Sequence, residues 1–340
     1  MKLNKHLLTI IVLGLAVWLI IPNLVGTDEA FRILGRAHPL LLVGAFLLQV
    51  LSWASDASIN KTLLTMLGQN LRFYDLVRIS SLEVFASHCL PVAGIGFSVS
   101  NIFFFKRQGL PAQYAFLLVL MRNLFVNIAF VMLFLLSLSA VPTHPSLALT
   151  GVISGIVVSL VAVLSVAGSI YFYSNRAAAL KLIQWGAAVI NRFGDRFFRR
   201  AFCDTCKIES GLQDVYSSLD MTTKKKGLLP LAFVSAIVYH LAGVGCLYLV
   251  FLSLGYQPPW GALLLGYFLP MVSVMVTPGG LGLYEGLMSA IYLLYQFPRT
   301  ETLMAVLVYR FLSFWLPIPL GFLSYLSLHY GKKPMKSEGG

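Results

Sequence analysis

The chain has 340 residues, of which 58% are hydrophobic and only 11% are charged, and its net charge is +12. Because soluble domains average about 25% charged residues, this composition excludes a water-soluble protein. A basic soluble protein would suggest a nucleic-acid partner. In a membrane protein, however, Lys and Arg accumulate in the cytoplasmic loops, and we expect no nucleic-acid partner. The composition predicts an all-α integral membrane protein.

A helix needs about 20 apolar residues to cross hydrocarbon about 30 Å thick. The predicted full spans are 7–25, 39–57, 112–138, 148–173, 228–254 and 303–329. The first stretch lacks a small-residue cleavage site, so we interpret it as a retained span rather than a signal peptide. Two further apolar regions, near 80–105 and 261–297, are interrupted by Pro and Gly, and we predict a broken, re-entrant helical hairpin in each. A half-apolar segment at 63–77 is interpreted as an interfacial helix.

The distribution of basic residues favours hairpins over single crossings. If each hairpin leaves the membrane on the side from which it entered, both termini and most of the 25 Lys and Arg residues lie on the cytoplasmic side. If 80–105 crossed the membrane once, Lys106 and Arg107 would face outward and every later loop would invert. We therefore expect a bacterial inner-membrane protein with cytoplasmic termini. Its predicted parts are an N-terminal half at 1–173, a basic cytoplasmic linker at 174–227, a C-terminal half at 228–330 and a basic tail at 331–340.

The basic linker allows two interpretations. Aromatic and aliphatic residues stand among arginines at 190–202, as in a helix that lies on anionic inner-leaflet lipids, where each basic residue is worth about 1 kcal/mol. A solvated helical linker at 174–228 with ordinary positive-inside charge is the other interpretation. Cys203 and Cys206 form a CxxC pair without a second pair or a nearby histidine, so we expect neither a metal nor a cofactor there.

A proline–glycine signature occurs twice, and each copy is followed by a lone arginine in apolar sequence. The first copy is Pro91, Gly94 and Gly96, and the second is Pro278, Gly279, Gly280 and Gly282. Arg122 follows the first proline by 31 positions (122 − 91), and Arg310 follows the second by 32 (310 − 278). Under the predicted topology the two hairpins enter from opposite faces. The pattern therefore predicts an inverted repeat, an architecture in which transporters hold substrate between discontinuous helices.

Non-helical backbone within a bilayer must pack in protein or face a cavity, so the two signatures are interpreted as lining a cavity. Amides freed at a helix start suit an anion such as a lipid phosphate. Within the spans, Arg122 and Arg310 need a partner or a cavity. They are interpreted either as structural salt bridges or as contacts for a lipid headgroup, whose phosphate matches guanidinium geometry. The candidate acidic partners are Glu83, Glu285 and Asp56.

Further polar and aromatic side chains lie near the proposed cavity. The polar ones are His88, Asn123, Asn127 and His240. The aromatic ones around the second signature are Tyr267, Tyr284, Tyr309, Phe314 and Trp315. Lone histidines in spans are interpreted as hydrogen-bonded core residues, and most of the aromatic residues as packing or belt residues. We include Tyr309 among the candidate substrate-binding residues.

Enzyme signatures are missing from the sequence. There is no nucleophile elbow, P-loop, dinucleotide glycine fingerprint or HExxH motif. Paired intramembrane aspartates, which an aspartyl protease of the membrane would need, are also missing. We therefore do not expect an enzyme, and any transport would be downhill or driven by an ion gradient.

The motifs resemble a known family. The run from Pro278 to Glu285 is followed by Tyr309-Arg310, Ser313-Phe314-Trp315, Pro317 and Gly321. With the first signature, this resembles the lysylphosphatidylglycerol synthase transmembrane region family, the flippase-like membrane part of the multiple peptide resistance factor. The resemblance covers about residues 7 to 329. It implies movement of a phospholipid or related amphiphile between leaflets, through a cavity built from two inverted halves. The synthase domain of the full-length factor has no counterpart before Gly340, so lipid aminoacylation is not expected.

The sequence thus predicts a lipid flippase- or scramblase-like transporter for an anionic phospholipid or related amphiphile. The alternative is a non-transporting membrane partner that presents a lipid or polyprenyl-linked substrate to a separate transferase. A membrane transferase with an unrecognised site is a third hypothesis. A homo-oligomer and a partner transferase are both left open as assemblies.

Overall fold

The computed structural model describes residues 27–89, 101–102, 104–138, 227–275 and 280–330, together with scattered residues between 163 and 181. For residues 83–89 only the backbone is described. Every regular element in this part of the chain is a helix. The predicted fold class, an all-α membrane protein, is confirmed.

The α-helices of the described part are numbered in chain order. They are α1 (Thr27–Arg36), α2 (Pro39–Met66), α3 (Phe73–Cys89), α4 (Ala112–Leu138), α5 (Leu229–Ser253), α6 (Trp260–Phe268), α7 (Leu283–Leu294), α8 (Arg299–Arg310) and α9 (Pro317–Tyr330). A 3₁₀ helix, Leu269–Met275, continues α6, and a π-helical turn, Phe311–Trp315, joins α8 to α9. Helices α2 and α9 begin with proline, whose fixed φ suits the first helical turn.

Four long helices are apolar enough to cross a bilayer within the described part. They are α2, α4, α5 and the continuous rod formed by α8, the π turn and α9. At 1.5 Å per residue, the 28 residues of α2 reach about 42 Å. The four long helices agree with the spans predicted to begin at 39, 112, 228 and 303. The predicted spans at 7–25 and 148–173 lie outside the continuously described residues.

The junction between α2 and α3 differs from the prediction. Helix α2 continues to Met66, the chain turns at Gly68 with a φ of 70°, and α3 begins at Phe73. Leu63 and Leu76 are both fully buried in the hydrophobic core. The interfacial helix at 63–77 is therefore wrong, because core packing extends the span by nine residues and places the next helix directly after a short turn.

Helices α2 and α5 pack along each other in opposite directions. At one end of the pair the backbone N–H of His38 donates to the carbonyl of Ser253 at 2.8 Å. Towards the other end the hydroxyls of Ser58 and Ser235 are 3.3 Å apart. A two-fold axis perpendicular to the two helices would produce this antiparallel pairing.

The spacing of the repeated signature locates that axis. Pro91 and Pro278 are 187 positions apart (278 − 91). Ser52 and Tyr239 are also separated by 187 positions, and the hydroxyl of Ser52 donates to the carbonyl of Tyr239 at 3.2 Å. A position that touches its own counterpart lies at the symmetry axis, so the axis passes beside this contact.

Contacts away from the axis follow the same offset. Adding 187 to Ser58 and subtracting it from Ser235 gives Gly245 and Leu48. These two positions also touch, because a Cβ on Gly245 would lie 3.0 Å from Cδ1 of Leu48. The register of α2 against α5 therefore follows the pattern that an inverted repeat predicts.

The packing of the other helices has the same exchange symmetry. Helix α2 packs on α3 and α4, while its counterpart α5 packs on α6 and α8. Helix α3 packs against α9, and its counterpart α6 packs against α4. In each half, the first limb of the broken region thus contacts the arginine-bearing rod of the other half.

The described segments on either side of each broken region lie at the same end of the bundle. The end of α2 and the starts of α3, α4 and α5 share one hydrophobic cluster, which includes Leu67, Leu76 and Leu110. At the opposite end, Tyr256 before α6 donates a hydrogen bond to Glu301 at the start of α8, at 2.9 Å. Desolvation, together with this hydrogen bond, raises the pKa of Tyr256 above its ordinary value.

Cysteine pairs can test the antiparallel register. With the four native cysteines replaced by serine, Ser58→Cys with Ser235→Cys should form a disulfide, because the native hydroxyls nearly touch. After cleavage at a protease site inserted into 174–227, the halves should remain joined on a non-reducing gel. Ser58→Cys with Gly245→Cys is the control, since those positions differ by about 15 Å along α5. Equal cross-linking of both pairs would contradict the register.

Candidate functional site

Arg122 of α4 forms a buried ion pair with Asp56 of α2. Its Nε and Nη2 donate to Oδ1 of Asp56 at 2.8 and 2.5 Å. Arg122 is 7% exposed and Asp56 is 3% exposed. Among the acidic side chains that the structure describes, Asp56 pairs with the first arginine.

A third helix contributes to this pair. The hydroxyl of Ser80 on α3 donates to the other oxygen of Asp56, Oδ2, at 2.7 Å. Nη1 of Arg122 donates to the side chain of Asn123 at 3.0 Å. The carboxylate is thus held by two different helices of the first half, as a buried charge requires when it is taken out of water. Sequence reasoning missed Ser80.

The second arginine, Arg310 at the end of α8, pairs with Glu285 in the first turn of α7. The Nε of Arg310 donates to Oε1 of Glu285 at 2.6 Å. The other oxygen, Oε2, accepts the backbone N–H of Gly282 at 2.8 Å. Both charged side chains are more than nine-tenths buried. This carboxylate therefore closes the ion pair and caps the helix that follows the break.

Two aromatic rings enclose the guanidinium of Arg310. Its Cζ lies 4.4 Å from the ring centroid of Tyr284 and 4.2 Å from that of Phe314. Such cation–π contacts strengthen when the pair is desolvated. Residues of the aromatic cluster predicted as packing thus also hold the arginine in place.

The glycines of the second break adopt backbone conformations that other residues rarely reach. Gly280 has a φ of 74° and Gly282 has a φ of 79°, both in the left-handed region. A Cβ on Gly280 would lie 2.8 Å from the hydroxyl oxygen of Ser273, so the backbone there also needs the space. The 3₁₀ helix ends at Met275 and α7 begins at Leu283.

Applied to the acids, the repeat offset reveals an asymmetry between the halves. The counterpart of Asp56 is Gly243, and the counterpart of Ser80 is Tyr267. A Cβ on Gly243 would lie 2.3 Å from the Tyr267 hydroxyl oxygen. The tyrosine thus fills the space that the carboxylate occupies in the first half. The second half takes its acid from α7 instead.

His240 connects the two halves on α5. Its Nε2 lies 3.1 Å from the carbonyl of Val126, one helical turn beyond Arg122 on α4. The rings of Phe130, Tyr239, Tyr267 and Phe268 surround it, with centroids 5.0 to 6.2 Å away. This supports its interpretation as a core residue, although Nδ1 has no hydrogen-bond partner among the described residues.

Several predicted site residues fall outside the described part of the chain. They are the side chains of Glu83 and His88, together with Pro91, Gly94, Gly96, Pro278, Gly279, Cys203 and Cys206. Within the described residues, no group of three or more His, Cys, Asp or Glu side chains could hold a metal ion. The described site therefore consists of two ion pairs, of which the pair of Arg310 and Glu285 adjoins the second break.

Comparison with known proteins assigns the chain to a family. The model of the lysylphosphatidylglycerol synthase TM region matches residues 7–321. The chain belongs to that family. Members of the UPF0104 membrane protein group also match over nearly their whole lengths. The relative from Methanocaldococcus jannaschii is 22% identical over 331 residues, which cover 96% of this chain and 95% of the relative. The one from Pyrococcus horikoshii is 22% identical over 327 residues, covering 94% and 96%.

Membership of the family confirms the resemblance carried by the sequence motifs. Among the described residues, the buried charges of the two ion pairs balance, and each positive charge is held by hydrogen bonds. Guanidinium and backbone N–H groups bind carboxylate and phosphate alike. The arrangement around Arg310 and Gly282 is thus chemically suited to binding an anion.

Removing one acid should test how much the first ion pair stabilises the fold. Asp56→Ala would leave Arg122 buried without its counter-charge and should lower the free energy of unfolding by about 3–5 kcal/mol. The double variant with Arg122→Met should recover much of the loss. Asp75→Ala is the matched control, because Asp75 pairs with Arg78 near the surface at 3.3 Å, and such pairs are worth about 0–1 kcal/mol.

The measurement is detergent-solubilised thermal unfolding of the purified variants. Equal losses for Asp56→Ala and Asp75→Ala would show that the buried pair contributes no more than a surface one.

Proposed function

We propose that this family member is a lipid flippase- or scramblase-like transporter that moves an anionic phospholipid or related amphiphile between leaflets, and that it is not itself an enzyme. One observation carries the proposal. Two arginines on different helices are buried in ion pairs, Arg122 with Asp56 and Arg310 with Glu285, and the second pair adjoins the break before α7.

The free-energy cost of these charges supports a functional role. An arginine at the centre of a transmembrane helix costs about 2.5–3.5 kcal/mol on insertion scales, and ionisable residues there usually mark a pathway or a binding site. A buried ion pair gives little net stability compared with apolar packing of the same volume. Two such pairs in a chain with so few charges are therefore better explained by binding an anion than by holding the fold.

We infer that both broken regions are re-entrant hairpins entering from opposite faces of the membrane. The described segments on either side of each region lie at the same end of the bundle, and the two ends differ. The left-handed backbone at Gly280 and Gly282 must then lie inside protein or line a water-filled cavity. A cavity flanked by both breaks would offer a polar headgroup a route through the hydrocarbon, while the acyl chains stay in lipid.

The charges at the two ends of the bundle set the proposed orientation. Five basic residues lie at the end where α2 stops and α3 and α4 begin, namely Lys61, Arg72, Arg78, Lys106 and Arg107. By the positive-inside rule this end faces the cytoplasm, so α9 also ends there and both termini are cytoplasmic. We place the protein in a bacterial inner membrane, with the basic segment 174–228 against anionic lipids.

Lipid transport can be measured directly. Reconstituted in liposomes containing fluorescent phosphatidylglycerol, the protein should accelerate leaflet exchange, read as loss of protection from a membrane-impermeant quencher. Arg310→Lys should slow this exchange by about tenfold or more, because an ammonium cannot reproduce the planar, stacked guanidinium. Arg78→Lys, at the surface, is the matched control and should exchange at the wild-type rate.

Three results would count against this proposal. Exchange by Arg310→Lys at the wild-type rate would contradict a guanidinium site. Wild-type protein that binds the lipid without moving it would instead support a partner that presents lipid to a separate transferase. Chemical modification of the lipid by the purified protein would support a membrane transferase.

A further inference from the structure

The carboxylate of Glu285 occupies a position built for an anion. It accepts one hydrogen bond from Arg310 and one from the backbone N–H of Gly282, at 2.6 and 2.8 Å. It also lies at the N-terminus of α7, a 12-residue helix, where the helix dipole favours negative charge. A cationic side chain, an aligned amide and a helix start are the groups that proteins use to bind phosphate.

The first ion pair is built differently. Asp56 stands within a continuous 28-residue helix and is held by side chains of two other helices, Arg122 and Ser80. Nothing in that arrangement involves a broken segment. Glu285, by contrast, belongs to the helix that resumes after the break, and its carboxylate is bonded to the backbone of the break itself.

Two observations indicate that the second site accepts more than Glu285. Ser289, one turn further along the same helix, is 7% exposed, and its hydroxyl has no hydrogen-bond partner among the described residues. Residues four apart lie on the same helix face, so this hydroxyl shares a face with Glu285. No described atom lies within 4 Å of where a Cβ on Gly282 would stand.

We propose that Glu285 is a resident anion that competes with a phosphodiester ligand for Arg310 and the N-terminus of α7. The inference rests on the proposed function in taking that phosphodiester to be the headgroup of an anionic lipid. Binding requires the carboxylate to leave, and the free amide of Gly282 and the guanidinium then hold the phosphate. Glu285 thereby lowers the apparent affinity by the fraction of time that it occupies the site.

The same exchange would couple ligand binding to the broken region. Glu285 caps α7 and anchors the end of the break through Gly282. When the phosphate displaces this carboxylate, the link between Arg310 and the start of α7 is transferred to the ligand. Release of the ligand restores the link. The proposal therefore assigns to Glu285 the exchange between the capped helix and the bound ligand in the second half.

Glu285→Gln separates competition from direct ligand binding. Glutamine can still cap a helix from this position but carries no charge, so the competing anion is removed while the cap remains. Binding of dihexanoyl phosphatidylglycerol, measured by thermophoresis on monodisperse protein in detergent, should become about tenfold tighter than in the wild type. Asp75→Asn removes a surface acid instead and is the control, with wild-type affinity expected.

A second variant and a second readout guard against misfolding. Glu285→Asp is one methylene shorter and should hold both donors less well, giving an intermediate gain in affinity. The lipid should also raise the unfolding temperature of Glu285→Gln more than that of the wild type, because ligand bound to the folded state stabilises it. Inorganic phosphate serves as the second probe. A gain confined to the lipid identifies its headgroup as the ligand, and a gain for both identifies phosphate in either form.

Weaker binding of phosphatidylglycerol by both Glu285 variants would overturn the inference, since the carboxylate would then be contacting the ligand. Unchanged affinity in both would also overturn it. Neither result depends on leaflet exchange by the wild type, which tests the proposed transport separately.

Discussion

The constraint that organises this protein is the cost of polar groups in hydrocarbon. Backbone N–H and C=O groups released by a break, and any buried guanidinium, must find partners within the protein. In the described part of the chain, each arginine is brought to a carboxylate whose two oxygens both accept hydrogen bonds. In the second half one carboxylate serves both requirements, because Glu285 neutralises Arg310 and caps the helix after the break. The helix order and the cross-packing of the two halves place these groups together.

Much of the fold could be predicted from sequence because membrane spans depend on apolar length alone. The starts of α2, α4 and α5 follow directly from where apolar residues begin. The turn at Gly68 was harder, since the segment around it mixes polar and apolar residues as an interfacial helix would. The residues on either side of the turn, Leu63 and Leu76, are buried in a cluster with residues of α4 and α5. Those helices are distant from the turn in sequence. No local pattern carries that information.

The candidate site was predictable in its arginines and only partly in its acids. Arg122 and Arg310 stand out because charge within an apolar stretch is rare. Their partners depend on which helix faces which, so Glu83, Glu285 and Asp56 could not be ranked from spacing. Ser80 gave no signal, because serine is common in membrane helices. The offset of 187 positions points to Gly243 as the counterpart of Asp56, and the antiparallel packing of α2 on α5 agrees with that offset.

Asp56 in the first half corresponds to Gly243 in the second. This difference between the halves bears on the relative free energy of the protein's conformations. Two identical inverted halves would make a conformation open to one side of the membrane equal in free energy to its mirror arrangement open to the other. Here the first half holds Arg122 with Asp56 on the long helix α2. The second half holds Arg310 with Glu285 on the short helix α7, which follows the break. Under the proposed function, the two conformations would therefore differ in free energy. At rest the molecule would favour one side of the membrane, even without any external source of energy.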